Sequence, residues 1–320
     1  MQPVAAILSS LVIYRYSLVL ALSGAAGVCF FLGCCHCRKV PTATAAAAAL
    51  TAVVLSLPLS RLVYWYGRPD SFSCFSQALT ASNTEALALS GAFGGCILSA
   101  FFIGRRGCRQ AILDCMCVSG CGAISLGRLG CFFTEANRGQ IMTRLTGLPW
   151  AWPVANASGH PEYRFATFLF QAVLAALLGI FLTAVFFSRK TKRGDVTVLF
   201  VLLYSASQFL LDSTRYDSLY LRSNGFVSMV QVLSAVALVL VTVLLCIRTV
   251  KALGFRKWMI PLWLGYAVLF SGTGYMEYYV QRHGREAAFS YSMMGTCLAA
   301  IVILGLLLWR LSRKTGFLIF

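Results

Sequence analysis

Apolar positions in this chain come in long unbroken runs, unlike the one-sided stripe of a surface helix or the alternation of a half-buried strand. A helix needs about 20 mostly apolar residues to cross the hydrocarbon core of a bilayer. About nine runs reach or approach that length: 17–35, 43–60, 86–103, 110–127, 165–187, 196–212, 226–246, 259–276 and 289–309. Each is expected to be a helix, because a helix satisfies its backbone within lipid without a partner. The alternating pattern of a membrane barrel is absent. The predicted fold is an all-α polytopic membrane bundle. Apolar residues begin at Val4 and Arg15 interrupts them, so residues 2–14 read as an interfacial segment leading into the first span. The first 14 residues hold no Lys or Arg, so the charged start of a cleavable signal peptide is missing.

Composition agrees with this pattern. Hydrophobic residues make up 59% of the 320 positions and charged ones 12%, with a mean hydropathy of +0.77. Soluble domains run at about 45–50% apolar and about 25% charged, and disordered chains are more polar still. The formal charge is +17. Nucleic-acid binding would need those cations gathered on one face or tail, whereas here they sit in short clusters between apolar runs.

The clusters predict an orientation. Positive residues gather in the cytoplasmic loops of membrane proteins. Arg38 and Lys39; Arg105, Arg106 and Arg109; Arg189, Lys190, Lys192 and Arg193; Arg248, Lys251, Arg256 and Lys257; and Arg310, Arg313 and Lys314 occupy alternate connections. They hold 16 of the 27 basic residues and all six lysines. The expected topology has the N-terminus outside and the C-terminus in the cytoplasm. The other 11 basic residues are all arginine: Arg15, Arg61, Arg68, Arg128, Arg138, Arg144, Arg164, Arg215, Arg222, Arg282 and Arg285. Most acidic residues fall on that side too: Asp70, Glu85, Glu135, Glu162, Asp212, Asp217, Glu277 and Glu286. Arginine presents a rigid fork of donors that fits phosphate or carboxylate. Single residues suit structural ion pairs; several clustered at helix ends suit a phosphate-bearing headgroup.

Cysteine and alanine carry less chemistry. The run Cys34-Cys35-His36-Cys37 has no second ligand pair at zinc-site spacing. Most of the thirteen cysteines lie in or beside apolar runs, where the thiol acts as a small hydrophobe. No metal and no cofactor are expected. The Ala-rich stretch 42–52 suits close helix packing.

Chemistry concentrates in two long connections on the arginine side, 61–85 and 128–164. Long connections in a compact protein are often functional. The second follows from GAISLGRLGCFFTEANRGQ at 122–140, whose Gly127, Gly130 and Gly139 permit close backbone approach. Arg128 stands at the membrane exit of its span, where an ionisable group is a functional candidate. Asp114, fourteen residues earlier, lies about 21 Å away along a helix and reads as a satisfied structural carboxylate. In YSASQFLLDSTRYD at 204–217, Gln208, Asp212 and Arg215 share one helical face. Arg128 and Arg215 would stand at the same level, a candidate phosphate clamp.

These segments resemble the prolipoprotein diacylglyceryl transferase family. GRLGCFFTEANRG at 127–139 matches its signature G-R-x-G-N/C-F-(x)6-G. IYRYSLVLAL resembles its first helix, with Tyr16 on the family tyrosine, and LSRLVYW resembles its G-A-R-L segment, with Arg61 on the arginine. The Asp114-to-Arg128 spacing, His160-Pro161 and GFVSMVQVLS at 225–234 follow in the family's order. The resemblance covers about residues 12–245. It implies a transferase domain at 1–246 and an extension of two spans at 247–320.

The implied reaction moves the diacylglyceryl group of phosphatidylglycerol to the lipobox cysteine thiol of a prolipoprotein signal peptide. It would occur near the outer leaflet of the bacterial cytoplasmic (inner) membrane. By the resemblance, Arg128, Arg215 and Asp212 are the expected catalytic group. Tyr16, Arg61, Gly94, Gly95, Gly127, Gly130, Gly139, Gln208, Ser228 and Gln231 are the expected substrate contacts. Departures are also visible. The family's H-G-G reads Phe93-Gly94-Gly95, Gln208 stands in place of an arginine, and Glu162-Tyr163-Arg164 follow His160-Pro161. Cys131 stands where some members carry asparagine, and Glu135 falls one residue before the family's acidic position. Action on another lipid or acceptor, or lipid binding or transport without catalysis, are the alternatives. In the extension, His283 or Arg285 is a candidate to fold back toward the site; an ordinary polar turn is the simpler expectation.

Overall fold

A computed structural model describes residues 2–80, 86–104, 107–134, 136–142, 150–155, 160–188, 191–221, 227–283 and 287–313, with side chains from Arg15 onward except Ala155, His283 and Ala287. Ten helices follow in order among the described residues: α1 Gln2–Cys37, α2 Thr42–Gly67, α3 Phe75–Thr80, α4 Leu89–Ile103, α5 Arg109–Leu129, α6 Thr167–Phe187, α7 Asp195–Ser213, α8 Met229–Leu253, α9 Met259–His283 and α10 Ala287–Ser312. Each of the nine apolar runs folds as a helix, and α3 is a short addition. Seven helices are both long and apolar enough to cross a membrane. Of the other two, α4 has 15 residues, about 22 Å of rise. Helix α9 has 25 residues but carries polar groups such as Thr273, Glu277 and Gln281. Residues 2–14, expected to lead into the first span, join it without a break, since α1 runs from Gln2 to Cys37.

Many large apolar side chains face outward, among them Leu18, Leu22, Leu50, Ile180, Leu240 and Val268. Apolar cover on that scale is what lipid requires and water opposes. Small residues set the inner contacts, as expected where helices associate through backbone approach. Helix α4 lies on α2 so closely that a Cβ at Gly91 would come within 2.3 Å of the Leu59 carbonyl, and one at Gly95 within 2.5 Å of Ser56. Ala45, Ala48, Ala49 and Ala52 are buried, and Ser99 Oγ donates to the Ala48 carbonyl at 2.6 Å. Cys34, Cys35, Cys115 and Cys121 are packed in the same core.

Helix α7 is the axis of the bundle, with 72% of its span buried. Its first turn is pinned by Asp114 of α5, which accepts from the amides of Gly194 at 2.7 Å and Thr197 at 2.9 Å, and from the Thr197 hydroxyl at 2.7 Å. A carboxylate satisfies the orphan donors of a helix N-terminus and complements its dipole. Asp114 is therefore the structural carboxylate expected. Asp195 beside it accepts from Arg248 of α8 at 3.0 Å. Helices α9 and α10 pack on α7 and α8 through Leu202, Ala206, Leu238, Tyr266, Met294 and Ile301. At the far end of α7 the connection after α5 forms a small antiparallel hairpin, β1 Ala151–Ala155 and β2 Pro161–Phe165.

Candidate functional site

The 128–142 segment is built into the end of the bundle by backbone pairing. Helix α5 ends in a short turn at Gly130–Phe133. The chain then reverses through Asn137, which adopts a left-handed conformation with φ 59°. Asparagine tolerates that region better than most residues. Residues 139–142 run extended along β2: the Gly139 amide donates to the Phe165 carbonyl at 2.7 Å, and the Met142 amide to that of Tyr163 at 2.8 Å. Their other edge meets the segment after α7, where the Gln140 amide donates to the Thr214 carbonyl at 3.1 Å and the Tyr216 amide to that of Arg138 at 3.0 Å. Gly139 allows this sandwich, since a Cβ there would lie 2.7 Å from Thr167 Oγ1 and 2.8 Å from Phe165 Cβ.

This pairing brings the two expected arginines into one hydrogen-bonded chain. Arg128 Nη1 donates to Asn137 Oδ1. The Asn137 amide donates to Asp217 Oδ2 at 2.8 Å. Asp217 Oδ1 receives Arg215 Nε at 3.1 Å and its Nη2 at 3.0 Å. Arg215 Nη1 reaches Asp212 Oδ1 at 3.0 Å, and Asp212 Oδ2 accepts from the Ser228 hydroxyl. Burial opposes the charge on Arg215, but Asp217 and Asp212 more than offset it and hold its pKa above the ordinary arginine value. Arg128 differs. It is half-buried, and its named partner among the described residues is the neutral Asn137. Two carboxylates thus answer one guanidinium of the pair, which leaves Arg128 as the cation available to an anionic group.

Around this chain the other expected residues fall into two groups. Near it, Tyr16 packs beside Cys131 and Phe168, and a Cβ at Gly130 would lie 3.4 Å from the Tyr16 ring and 3.1 Å from Val19. A Cβ at Gly127 would lie 3.4 Å from Ser23 Oγ of α1. Arg61 is buried on α2 and donates to the Ala86 carbonyl at 3.1 Å, a contact outside this hydrogen-bonded chain. Ser228 and Gln231 form the capping box of α8, so their side chains are engaged in fixing that helix start beside Asp212. The second group packs helices together. Gly95 abuts Ser56, and a Cβ at Gly94 would lie 3.7 Å from Leu59 Cδ1. Phe93 stacks edge-on against Phe200 and Tyr204 at 5.9 and 5.4 Å between ring centroids. Gln208 is buried, accepting from Gln171 Nε2 at 3.3 Å.

Sequence reasoning did not single out Asn137 as a site residue, though it lies inside the signature run, nor give Asp217 a role. Arg138 is buried, donates to the carbonyls of Cys131 and Thr134 at 3.0 and 2.7 Å, and lies over Phe168 at 4.3 Å. It braces the turn that aims Asn137. Glu85, Arg105, Arg106, Glu135, Arg144, Arg189, Lys190, Arg222, Arg285, Glu286 and Lys314 lie outside the described residues, as does the side chain of His283.

Comparison with known proteins identifies the family. A family model described as prolipoprotein diacylglyceryl transferase matches residues 3–247. A phosphatidylglycerol–prolipoprotein diacylglyceryl transferase of Finegoldia magna is 32% identical over 117 residues, 36% of this chain and 44% of that protein. One from Clostridioides difficile is 34% identical over 119 residues, 37% of this chain and 42% of its own. One from Thermotoga maritima is 34% identical over 122 residues, 36% and 39% respectively. The matched stretch thus spans less than half the length of these curated relatives. The family match covers most of the chain and includes both arginines and the turn that joins them: the chain belongs to the prolipoprotein diacylglyceryl transferase family.

Proposed function

We propose that this protein transfers the diacylglyceryl group of phosphatidylglycerol to the lipobox cysteine thiol of prolipoproteins, at the outer-leaflet level of a bacterial cytoplasmic membrane. The observation that carries the reading is the chain from Arg128 through Asn137 and Asp217 to Arg215. In the reaction the cysteine sulfur forms a bond to the terminal glycerol carbon. The bond from that carbon to the phosphate oxygen breaks, glycerol phosphate takes the electron pair, and the thiol proton passes to a base. Arg128 stabilises the departing phosphate, because a fixed guanidinium in a poorly solvated site acts without reorganisation. Arg215, held by Asp212 and Asp217, keeps the Asn137 turn and hence Arg128 in place. Both acyl chains remain in hydrocarbon while the headgroup meets this end of the bundle. Residues 1–246 form the transferase unit in this reading, with the N-terminus outside and residues 247–320 as a two-helix extension ending in the cytoplasm.

A second reading, the same fold acting on another lipid or acceptor or only binding lipid, draws on Phe93. In the position of the family histidine, this side chain is packed between Phe200 and Tyr204 and cannot accept a proton. Complementation of a strain depleted of its native transferase separates the two. Growth with lipidated prolipoprotein supports transfer. No rescue, with the protein present in the membrane, supports the second reading.

A further inference from the structure

Helices α9 and α10 lie beyond the family match, which ends at residue 247. Two of their side chains nonetheless reach the segment that carries Arg215. Glu277 of α9 is buried and accepts from the Ser213 hydroxyl at 2.6 Å through Oε2, while its Oε1 accepts from Gln281 at 2.9 Å. The Tyr291 hydroxyl of α10 donates to the Ser213 carbonyl at 3.2 Å and accepts from Gln140 Nε2 at 3.3 Å. Ser213 is the last residue of α7 and lies next to Asp212. Gln140 follows Gly139 and pairs through its backbone with Thr214. Tyr291 therefore ties together the two backbone segments whose pairing joins Arg215 to the Asn137 turn.

We propose that Glu277 and Tyr291 are positioning residues. They fix the end of α7 and so the orientation of Asp212 and Arg215. Their physical basis is local. The last carbonyls of a helix lack intrahelical partners, and Tyr291 supplies one at Ser213. A buried carboxylate is costly unless it is hydrogen-bonded, and Glu277 meets that need by holding Ser213 in place. The extension acts as a buttress of the site, a role that rests on the proposed transfer only for its kinetic consequence.

The full-length protein in nanodiscs containing phosphatidylglycerol tests this by two readouts. Hydrogen exchange at the Gln140 and Tyr216 amides reports the pairing itself, since local opening governs it. Transfer to a lipobox peptide reports kcat and KM. Tyr291→Phe and Glu277→Ala are each expected to speed exchange at those amides about tenfold and to lower kcat about tenfold, with KM for the lipid within about twofold. Glu277→Gln, which keeps an acceptor for Ser213, restores most of both. Wild-type exchange and kcat in Tyr291→Phe and Glu277→Ala would overturn the proposal. So would equal acceleration at the remote Thr197 amide, which would mean general loosening. A wild-type protein with no transfer would sink the functional reading alone, because the exchange readout still decides the buttress.

Discussion

Arg215 donates to Asp212 at 3.0 Å across one turn at the end of α7, with the carboxylate fully buried and the guanidinium side chain 11% exposed. The pair converts a helix terminus into a rigid bracket. Asp212 also receives Ser228 at the start of α8, and Arg215 also grips Asp217, which holds the Asn137 amide. One ion pair thereby locks three elements around Arg128. Of the two arginines expected to form a clamp, Arg215 is neutralised by Asp212 and Asp217, while the half-buried Arg128 donates to the neutral Asn137.

Arg128 should dominate the chemistry. Arg128→Ala is expected to lower transfer about 10²–10³-fold, the size of losing one preorganised donor to a developing anion. Arg128→Lys should recover little, because a point charge lacks the fork that spans Asn137 and a phosphate together. An assay with phosphatidylglycerol vesicles and a lipobox peptide measures both. Full activity in Arg128→Ala would refute the assignment.

Asp212 should matter to stability as well as rate. Asp212→Asn leaves Arg215 short of a buried partner, a change that typically costs about 3–5 kcal/mol. Thermal unfolding in detergent should show a clear fall in Tm. Asp217→Asn should cost less in stability, since that side chain is 26% exposed. An Asp212→Asn variant with unchanged Tm would contradict the bracket.

Glycine substitutions should separate the two kinds of glycine in the chain. Gly139→Ala forces a methyl to within 2.7 Å of Thr167 Oγ1 and 2.9 Å of the Phe165 carbonyl, and overpacking of this kind costs about 1–3 kcal/mol. Gly94→Ala meets only Leu59 Cδ1 at an ordinary 3.7 Å. It should be close to neutral in Tm and activity. The same unfolding and transfer measurements compare them, and equal behaviour of the two would speak against the packing described for Gly139.

Asp114 offers the opposite control. Asp114→Asn keeps the shape but turns an amide toward one of the donors that the carboxylate now satisfies. A buried donor left unmade costs about 1–3 kcal/mol, so Tm should drop. Transfer by the folded fraction should stay near wild type, because Asp114 braces the other end of α7. A collapse of kcat without loss of Tm would mean that Asp114 has a direct role.

Nine of the ten helices among the described residues were legible in the chain as apolar runs, because burial in lipid demands such runs, and run length survives any tertiary arrangement. Arg128, Gly139 and Arg215 were legible as well, since charge at a span's end and glycine in a tight motif have few cheap explanations. The hairpin at 151–165 left no such trace: its strands are five residues each, too short for alternation to stand out. Nor could spacing show that Gly95 serves helix contact, that Ser228 and Gln231 cap α8, or that Glu277 and Tyr291, not the polar turn at His283, reach back to α7.

By itself, then, the sequence determined which stretches lie in lipid and which residue types gather at one end, because both follow from local composition and the cost of burying charge. Tertiary structure alone decided who answers whom. Asn137 faces Arg128, Asp217 and Asp212 divide Arg215, and Tyr291 joins Gln140 to Ser213. Those contacts depend on the register in which distant backbone segments meet, and register is a property of the packed chain.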